Sequence, residues 1–272
     1  MFVLKIGGSL LTHKDRYCTP NHDVLDAYAR TLSEHWPTFR GRLVLVVGGG
    51  SYGNQVPVRY ALTDATEPWQ SINVMTMTTK MFEWLTIIAD TLRKHGVPGY
   101  PFQSSSWITT NDGVPATVST QPILHALELG LLPVLSGDLV FDAAKSFVIF
   151  SSDQIPELLV DSLPIRRVAM LTDVPGIKSG HQPDEIVPLV TGANKRDVLQ
   201  LTGASTHPDV TGGMRNKLTA ALRLAECGVE SVICDGTNPQ VMMSALVDDP
   251  PPGTLIRFDR ELDSPEEGGD SR

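Results

Sequence analysis

The 272-residue sequence is short of several features, and each shortage closes a class of function. No apolar run approaches the roughly 20 residues that a membrane-spanning helix needs, so no membrane partner is expected. Basic residues are not in excess: 22 Lys and Arg stand against 31 Asp and Glu, a formal charge of −9. Nucleic-acid binders are more often basic, so no nucleic-acid partner is expected. Any phosphate must then be gripped by local features and not by the overall field. Cysteine is scarce: Cys18, Cys227 and Cys234 show no CxxC spacing and leave an odd count, which predicts reduced thiols and a cytoplasmic setting. The pattern G-x-x-x-x-G-K-[ST] does not occur, which excludes a P-loop enzyme. "MFVLKIGGSL" has neither a basic lead nor a cleavage site, so no signal peptide is expected. There is no internal repeat.

What is present is an ordinary globular composition, 41% hydrophobic and 19% charged, on a chain long enough for one large core. Short runs rich in Val, Ile and Leu predict strands near 2–6, 43–47, 132–135, 147–150, 167–171 and 231–234. Helical spacing of apolar residues appears between them, in "HDVLDAYARTLSEHW", "MFEWLTIIADTLRKHG", "TQPILHALELG" and "GGMRNKLTAALRLAECG". The second of these ends in Gly96, a helix-stop residue. Continuous apolar strands alternating with helices predict a mostly parallel sheet covered on both faces. "IKSGHQPDE" reads as an exposed loop, with a soft boundary near 172–180 but no linker. The tail, 261–272, is polar and reads as disordered.

Three glycine-rich turns carry the chemistry. In "VLKIGGSLL", Lys5 ends a strand and Gly7 and Gly8 follow at once. Bare backbone there lets N–H groups approach a phosphate beside the lysine charge; a tight turn with a solvated lysine is the plain alternative. In "LVLVVGGGSYGN" the glycines formally fit the dinucleotide fingerprint, but no second strand follows. A helix N-terminus offering N–H groups to an anion fits better. In "DVTGGMRNKL", Thr211, Gly212 and Gly213 open a periodic helix and Lys217 lies one turn further in. That is a second place for polyphosphate, or else a capped helix with a surface lysine. Two anion sites and three lysines suggest phosphate passing from one ligand to another.

The ordered blocks "LKIGGSLLTHKD", "VVGGGSYG", "PVLSGDLVFD", "FSSDQIPELL", "LTDVPGI" and "DVTGGMRNKL" resemble the amino acid kinase superfamily. The branch they resemble is that of the isopentenyl phosphate kinases and fosfomycin kinases. The resemblance runs from residue 2 to about 257, and "FSSDQIPE" and "GRLVLVVGGGSYG" look more like the fosfomycin kinase pattern. It implies a three-layer αβα sandwich with an open, mainly parallel central sheet. It also implies a single domain over 1–260, with the acceptor held by about 1–165 and ATP by about 166–260. Mg²⁺ is expected to ride with ATP, with no metal cage made by the protein alone. A cytoplasmic homodimer is the implied default.

Roles carry over by position. Lys5 would sit between donor and acceptor phosphates, Lys14 would meet them from the other side, and Lys217 would follow the γ-phosphoryl group. Asp153 would orient Lys5 and Lys217; as a bland alternative it caps the helix after it. Gly7, Gly8 and Ser9 would cradle the transferred group. Thr172, Asp173 and Gly176 would line the nucleotide end with Thr211, Gly212 and Gly213. Gly49, Gly50, Ser51, Asn54, Ser151 and Ser152 would face the acceptor. Asp138 is expected to brace a turn.

One position departs from the resemblance. Where both groups carry histidine after "GGG-small-aromatic-G", this chain carries Asn54, which keeps an N–H donor but cannot become cationic. Arg59 or His13 could restore the charge, or the acceptor could differ. Met75, Met77, Met81 and Phe82 could line an apolar pocket or pack a core or dimer helix. Thr76, Thr78, Thr79, Gln103 and Ser104–Ser106 favour a small polar acceptor. The sequence thus ranks a fosfomycin-kinase-like enzyme, acting on a phosphonate or phosphate of a small metabolite, ahead of an isopentenyl phosphate kinase. A carboxylate kinase and a non-catalytic nucleotide-binding relative rank lower.

Overall fold

A computed structural model describes residues 1–63, 70–180, 185–202 and 213–258. The chain opens with strand β1 (Phe2–Ile6), a single helical turn α1 (Gly8–Leu11) and helix α2 (His22–Phe39). Strand β2 (Leu43–Val47) leads to α3 (Gly50–Arg59), the long α4 (Ser71–Lys94) and β3 (Gly99–Phe102). Then come the β4 (Ile108–Asn111) and β5 (Val114–Val118) hairpin, α5 (Gln121–Glu128), and β6 (Leu132–Ser136). A second hairpin, β7 (Asp138–Asp142) and β8 (Ser146–Phe150), precedes α6 (Ile155–Leu159) and β9 (Arg167–Thr172). The remainder is β10 (Leu189–Val190), α7 (Lys195–Leu201), α8 (Gly213–Glu226), β11 (Glu230–Asp235), α9 (Val241–Val247) and β12 (Thr254–Ile256).

Eight strands form one sheet in the order β10-β12-β11-β9-β1-β2-β6-β3. Every pairing in it is parallel except β11 with β12. The central strands β1, β2 and β9 are mostly apolar because both faces are covered. Leu4, Ile6, Leu45 and Val47 pack into one core with α2 and α4; Val3, Val44, Val46 and Met170 pack into another with α5, α6 and α8. This alternation is the two-residue period of a strand, so one apolar run feeds both cores. The predicted αβα sandwich is observed with five of the six predicted strands; the sixth, near 147–150, is β8 and belongs to a second sheet. α4 stops at Lys94, and Gly96 follows at φ +78° as a left-handed cap.

A second, four-stranded sheet, β5-β4-β7-β8, lies outside the sequence expectation. Asp142 ties it together. Its carboxylate accepts from Thr110 Oγ1 at 2.7 Å, Gly113 N at 2.8 Å and Lys145 N at 2.7 Å, which pins the turns of both hairpins. These bonds to its ionised form hold the Asp142 carboxyl well below its ordinary range despite the opposing cost of burial.

The expected 177–185 loop is closed by a bridge between Lys178 and Ile186, with residues 181–184 outside the described set. The tail expected to be disordered also lies outside it.

Candidate active site

The carboxyl ends of β1, β2, β6 and β9 open on one cleft of about 490 Å³. Strand order reverses about β1 here, the usual place for a ligand in an open α/β sheet. Lys5, Lys14, Asp153 and Lys217, far apart in sequence, all line it. So do Gly7, Gly8, Ser9, Gly49, Gly50, Ser51, Asn54, Ser151, Ser152, Thr172, Asp173 and Gly213.

The empty-handed glycines of the first two turns have a common cause. A Cβ on Gly8 would lie 2.2 Å from Gly50 N, and one on Gly48 would lie 2.3 Å from Gly8 N. The two turns therefore pack backbone against backbone, and no side chain fits at the crossing. Trp84 Nε1 donates to Gly48 O at 3.1 Å and stacks on Tyr52, so α4 anchors the turn from behind.

Asp153 lies between two ammonium groups. Lys5 Nζ forms an ion pair with its Oδ1, and Lys217 Nζ lies 3.4 Å from its Oδ2. Lys5 and Asp153 are 2% and 3% exposed, so this charge is shielded from water. Burial alone would raise the Asp153 pKa; the two lysines outweigh it and hold the carboxyl below its ordinary value. The capping alternative fails on geometry, because Gln154 occupies the cap position of α6 and the carboxylate points to the lysines.

Lys14 reaches the cleft from the loop after α1 and pairs with Asp173 at 2.9 Å. This pair is largely exposed, so it contributes little to stability and leaves Lys14 available to a stronger anion. Lys217 stands one turn into α8, whose N-terminal residues Gly213 and Met214 share the cleft.

Several expectations need correction. Gly176 does not line the cleft; a Cβ there would meet Thr254 Oγ1 at 2.7 Å, so its smallness serves packing against β12. Thr211 and Gly212 fall outside the described residues. Ser51 lines the cleft but spends its groups on the loop before α2: its N–H donates to Thr12 Oγ1 and its Oγ accepts from Thr19 N. Neither Arg59 nor His13 is among the lining residues, and the Arg59 guanidinium lies 4.7 Å from the centre of the Tyr17 ring. Part of the polar stretch thought to favour a polar acceptor is bonded internally, while Ser105 Oγ lies 3.5 Å from Asp138 in the cleft. Thr76 and Thr79 donate to carbonyls of their own helix, Ser104 to Ser136 O, and Ser106 to Gln103 O. Of the methionines and Phe82 on α4, Met77 lines the cleft and Met81 is buried behind Gly49; Met75 and Phe82 are exposed.

Sequence reasoning missed Ile149 and Phe150, which end β8 beside Ser151 and line the cleft. It also assigned Asp138 to a turn. Asp138 lines the cleft, is 2% exposed, and accepts from Leu139 N at 2.8 Å and more distantly from Ser105 Oγ at 3.5 Å. Burial pushes its pKa up to about 7, against the partial relief given by Gln103, Leu139 and Ser105.

Comparison with known proteins places this geometry in context. The model of the amino acid kinase family matches residues 1–235. An isopentenyl phosphate kinase of Methanothermobacter thermautotrophicus is 30% identical over 94% of this chain and 98% of its own. One from Methanocaldococcus jannaschii is 28% identical, again over 94% of this chain and 98% of its own. A solved isopentenyl phosphate kinase structure superposes with a TM-score of 0.77 at 26% identity, covering 94% of this chain and 100% of that one. A carbamate kinase from Giardia lamblia bound to AMP-PNP shares the fold, with a TM-score of 0.66 at 15% identity over 95% of this chain and 98% of its own.

Proposed function

Since the chain belongs to the amino acid kinase family and is a phosphotransferase, we propose that it is an isopentenyl phosphate kinase. It would move the γ-phosphoryl group of ATP onto isopentenyl phosphate, giving isopentenyl diphosphate and ADP. The buried Lys5–Asp153–Lys217 array carries this reading. In phosphoryl transfer the protein mainly positions the reactants and offsets charge on the moving group. Asp153 holds two ammonium groups in fixed places, so little reorganisation is left for the moment of transfer.

The relatives' names reverse the order drawn from sequence, which put a phosphonate acceptor first. The cleft supports the reversal. Partly buried Ile149, backed by the core residues Met77 and Phe150, gives the wall an apolar surface for a hydrocarbon chain, whereas Thr76, Thr79, Ser104 and Ser106 are bonded elsewhere.

In this reading the N-terminal part, to about residue 165, holds the acceptor with Asn54 and the glycine turns. The rest holds ATP with Thr172, Asp173, Gly213 and Lys217. Among the described residues no group of three His, Cys, Asp or Glu is placed to hold a metal ion. Mg²⁺ would ride with the nucleotide's phosphates, where it supplies charge neutralisation. A homodimer belongs to the same reading: α4 turns Ile72, Met75 and Phe82 outward, each more than half exposed, a face that a second copy would bury.

ADP release from Mg·ATP tests the proposal with isopentenyl phosphate, dimethylallyl phosphate, fosfomycin, acetylglutamate and a no-acceptor blank. Turnover with isopentenyl phosphate above all others is expected. Preference for fosfomycin would overturn the acceptor, and ATP binding without turnover on any of them would overturn the assignment.

A further inference from the structure

Two carboxylates are buried in this cleft, and the site described so far uses only one. Asp153 is met by two ammonium groups. Asp138 is met by neutral ones. One short bond reaches it from Leu139 N, and Ser105 Oγ lies at the long limit of 3.5 Å. The amide of Gln103, a residue only 8% exposed, and the backbone N–H of Ser105 also face the carboxylate and partly offset its burial.

The neighbours from each packed element are as follows. The turn 104–106 before β4 brings Ser105, and Gln103 precedes it. On β8 the register partner of Asp138 is Phe150, and α4 brings Met77 to the same cleft wall. The charged groups sharing the cleft are Lys5, Lys14, Lys217, Asp153 and Asp173. Lys5 and Lys217 pair with Asp153, and Lys14 pairs with Asp173. An ionised carboxylate in such a place is poorly compensated. A second anion entering the same cleft disfavours its ionised form further.

We propose that Asp138 is an acceptor-binding residue that shares one proton with the acceptor's phosphate. The carboxyl O–H then donates to a phosphate oxygen, and the substrate binds together with a proton from solvent. The proposal rests on the kinase reading above only for the identity of the acceptor chain. It supplies what Asn54 does not: a donor that tracks the phosphate's charge without a cation. Burial that lifts the carboxyl to about 7 makes the proton available in the working range. The charge change is balanced, since the dianionic phosphate and carboxylate lose one unit of negative charge on taking the proton.

The test is calorimetric binding of isopentenyl phosphate with a non-hydrolysable ATP analogue present. It is run from pH 6 to 9 in buffers of different ionisation enthalpy, and needs no turnover. Inorganic phosphate, which carries the same group without the chain, is titrated in parallel. Uptake of close to one proton is expected at pH 8, with Kd rising up to about tenfold per pH unit above pH 7. Asp138→Asn, a permanent neutral donor of nearly the same shape, should abolish the uptake and flatten Kd. A residue that merely braces the turn would leave both unchanged on substitution. Should isopentenyl phosphate fail to bind while inorganic phosphate takes up the proton, the acceptor is wrong and Asp138 stands. If wild-type protein takes up no proton with either ligand, or the variant keeps the uptake, the proposal falls. The wild-type measurement decides even if the variant does not fold.

Discussion

The two ends of the cleft solve opposite electrostatic problems with the same residue type. Asp153 is buried between Lys5 and Lys217, which hold its carboxyl below its ordinary value. Asp138 is buried at least as deeply but faces an amide, a hydroxyl and backbone N–H groups, with no cation paired to it, and burial raises its pKa to about 7. Depth of burial is nearly equal, at 3% and 2% exposure, so it cannot be the cause of the difference. Counter-charge is. The contrast teaches that two equally buried carboxyls of one cleft are pushed to opposite sides of their ordinary pKa by the presence or absence of a paired cation.

The largest expected effect breaks the charged end. Asp153→Asn leaves two ammonium groups without their carboxylate and should cost about 3–5 kcal/mol of stability, read from denaturant unfolding at pH 7. The Asp153 carboxyl is depressed in the folded state, so its contribution is present above the unfolded value, near 3.9. It is lost as pH falls through the lower folded value. The gap between variant and wild type should therefore close in acid, below about pH 4; a gap unchanged down to pH 2 would mean that Asp153 is not held by charge.

Lys217→Ala comes next, with kcat down by roughly 10² to 10³ and a melting temperature that still rises on adding ATP. Near-normal turnover would remove Lys217 from the mechanism.

Asp138→Asn sharpens the comparison by its sign. The Asp138 pKa is raised on folding, so its ionisation destabilises the fold progressively from about pH 4 to about pH 7. The variant should gain melting temperature relative to wild type between pH 5 and pH 8, the reverse of the Asp153 trend. A parallel trend in the two variants would erase the distinction between the ends.

Asn54→His is expected to matter least. A charge-assisted bond is about twice as strong as a neutral one, so acceptor kcat/KM should change by no more than about tenfold, mostly below pH 6.5 where histidine is cationic. A hundredfold rise would show that position 54, and not Asp138, governs the acceptor end.

The central fold was legible because runs such as "LVLVV" are buried on both faces and carry no competing pattern. The small second sheet was not, because β4 reads "ITTN" and β5 "VPATV", with threonine, proline and mostly exposed positions. It is held by Asp142, whose partners are backbone N–H groups and one hydroxyl that no spacing reveals. Lys5 and Lys217 were legible because each adjoins a glycine turn, and Lys14 and Asp153 because their blocks resemble the family. Asp138 was not, because its environment is set by Gln103 and Ser105, more than thirty residues earlier. The threonines of α4 misled for a related reason: sequence shows a hydroxyl, but only the helix shows that it already has a partner in Ile72 O or Met75 O.

The crossing of the two glycine turns bears on how this enzyme could change over generations. Gly8, Gly48 and Gly50 touch through backbone alone, so a side chain gained on one turn has no compensating change to find on the other. The floor of the cleft is thereby frozen, and inherited variation in acceptor choice is channelled into its walls, at Asn54, Met77 and Ile149. A saturation library selected for growth should show that division directly, as an almost blank row at each crossing glycine and a populated one at each wall residue.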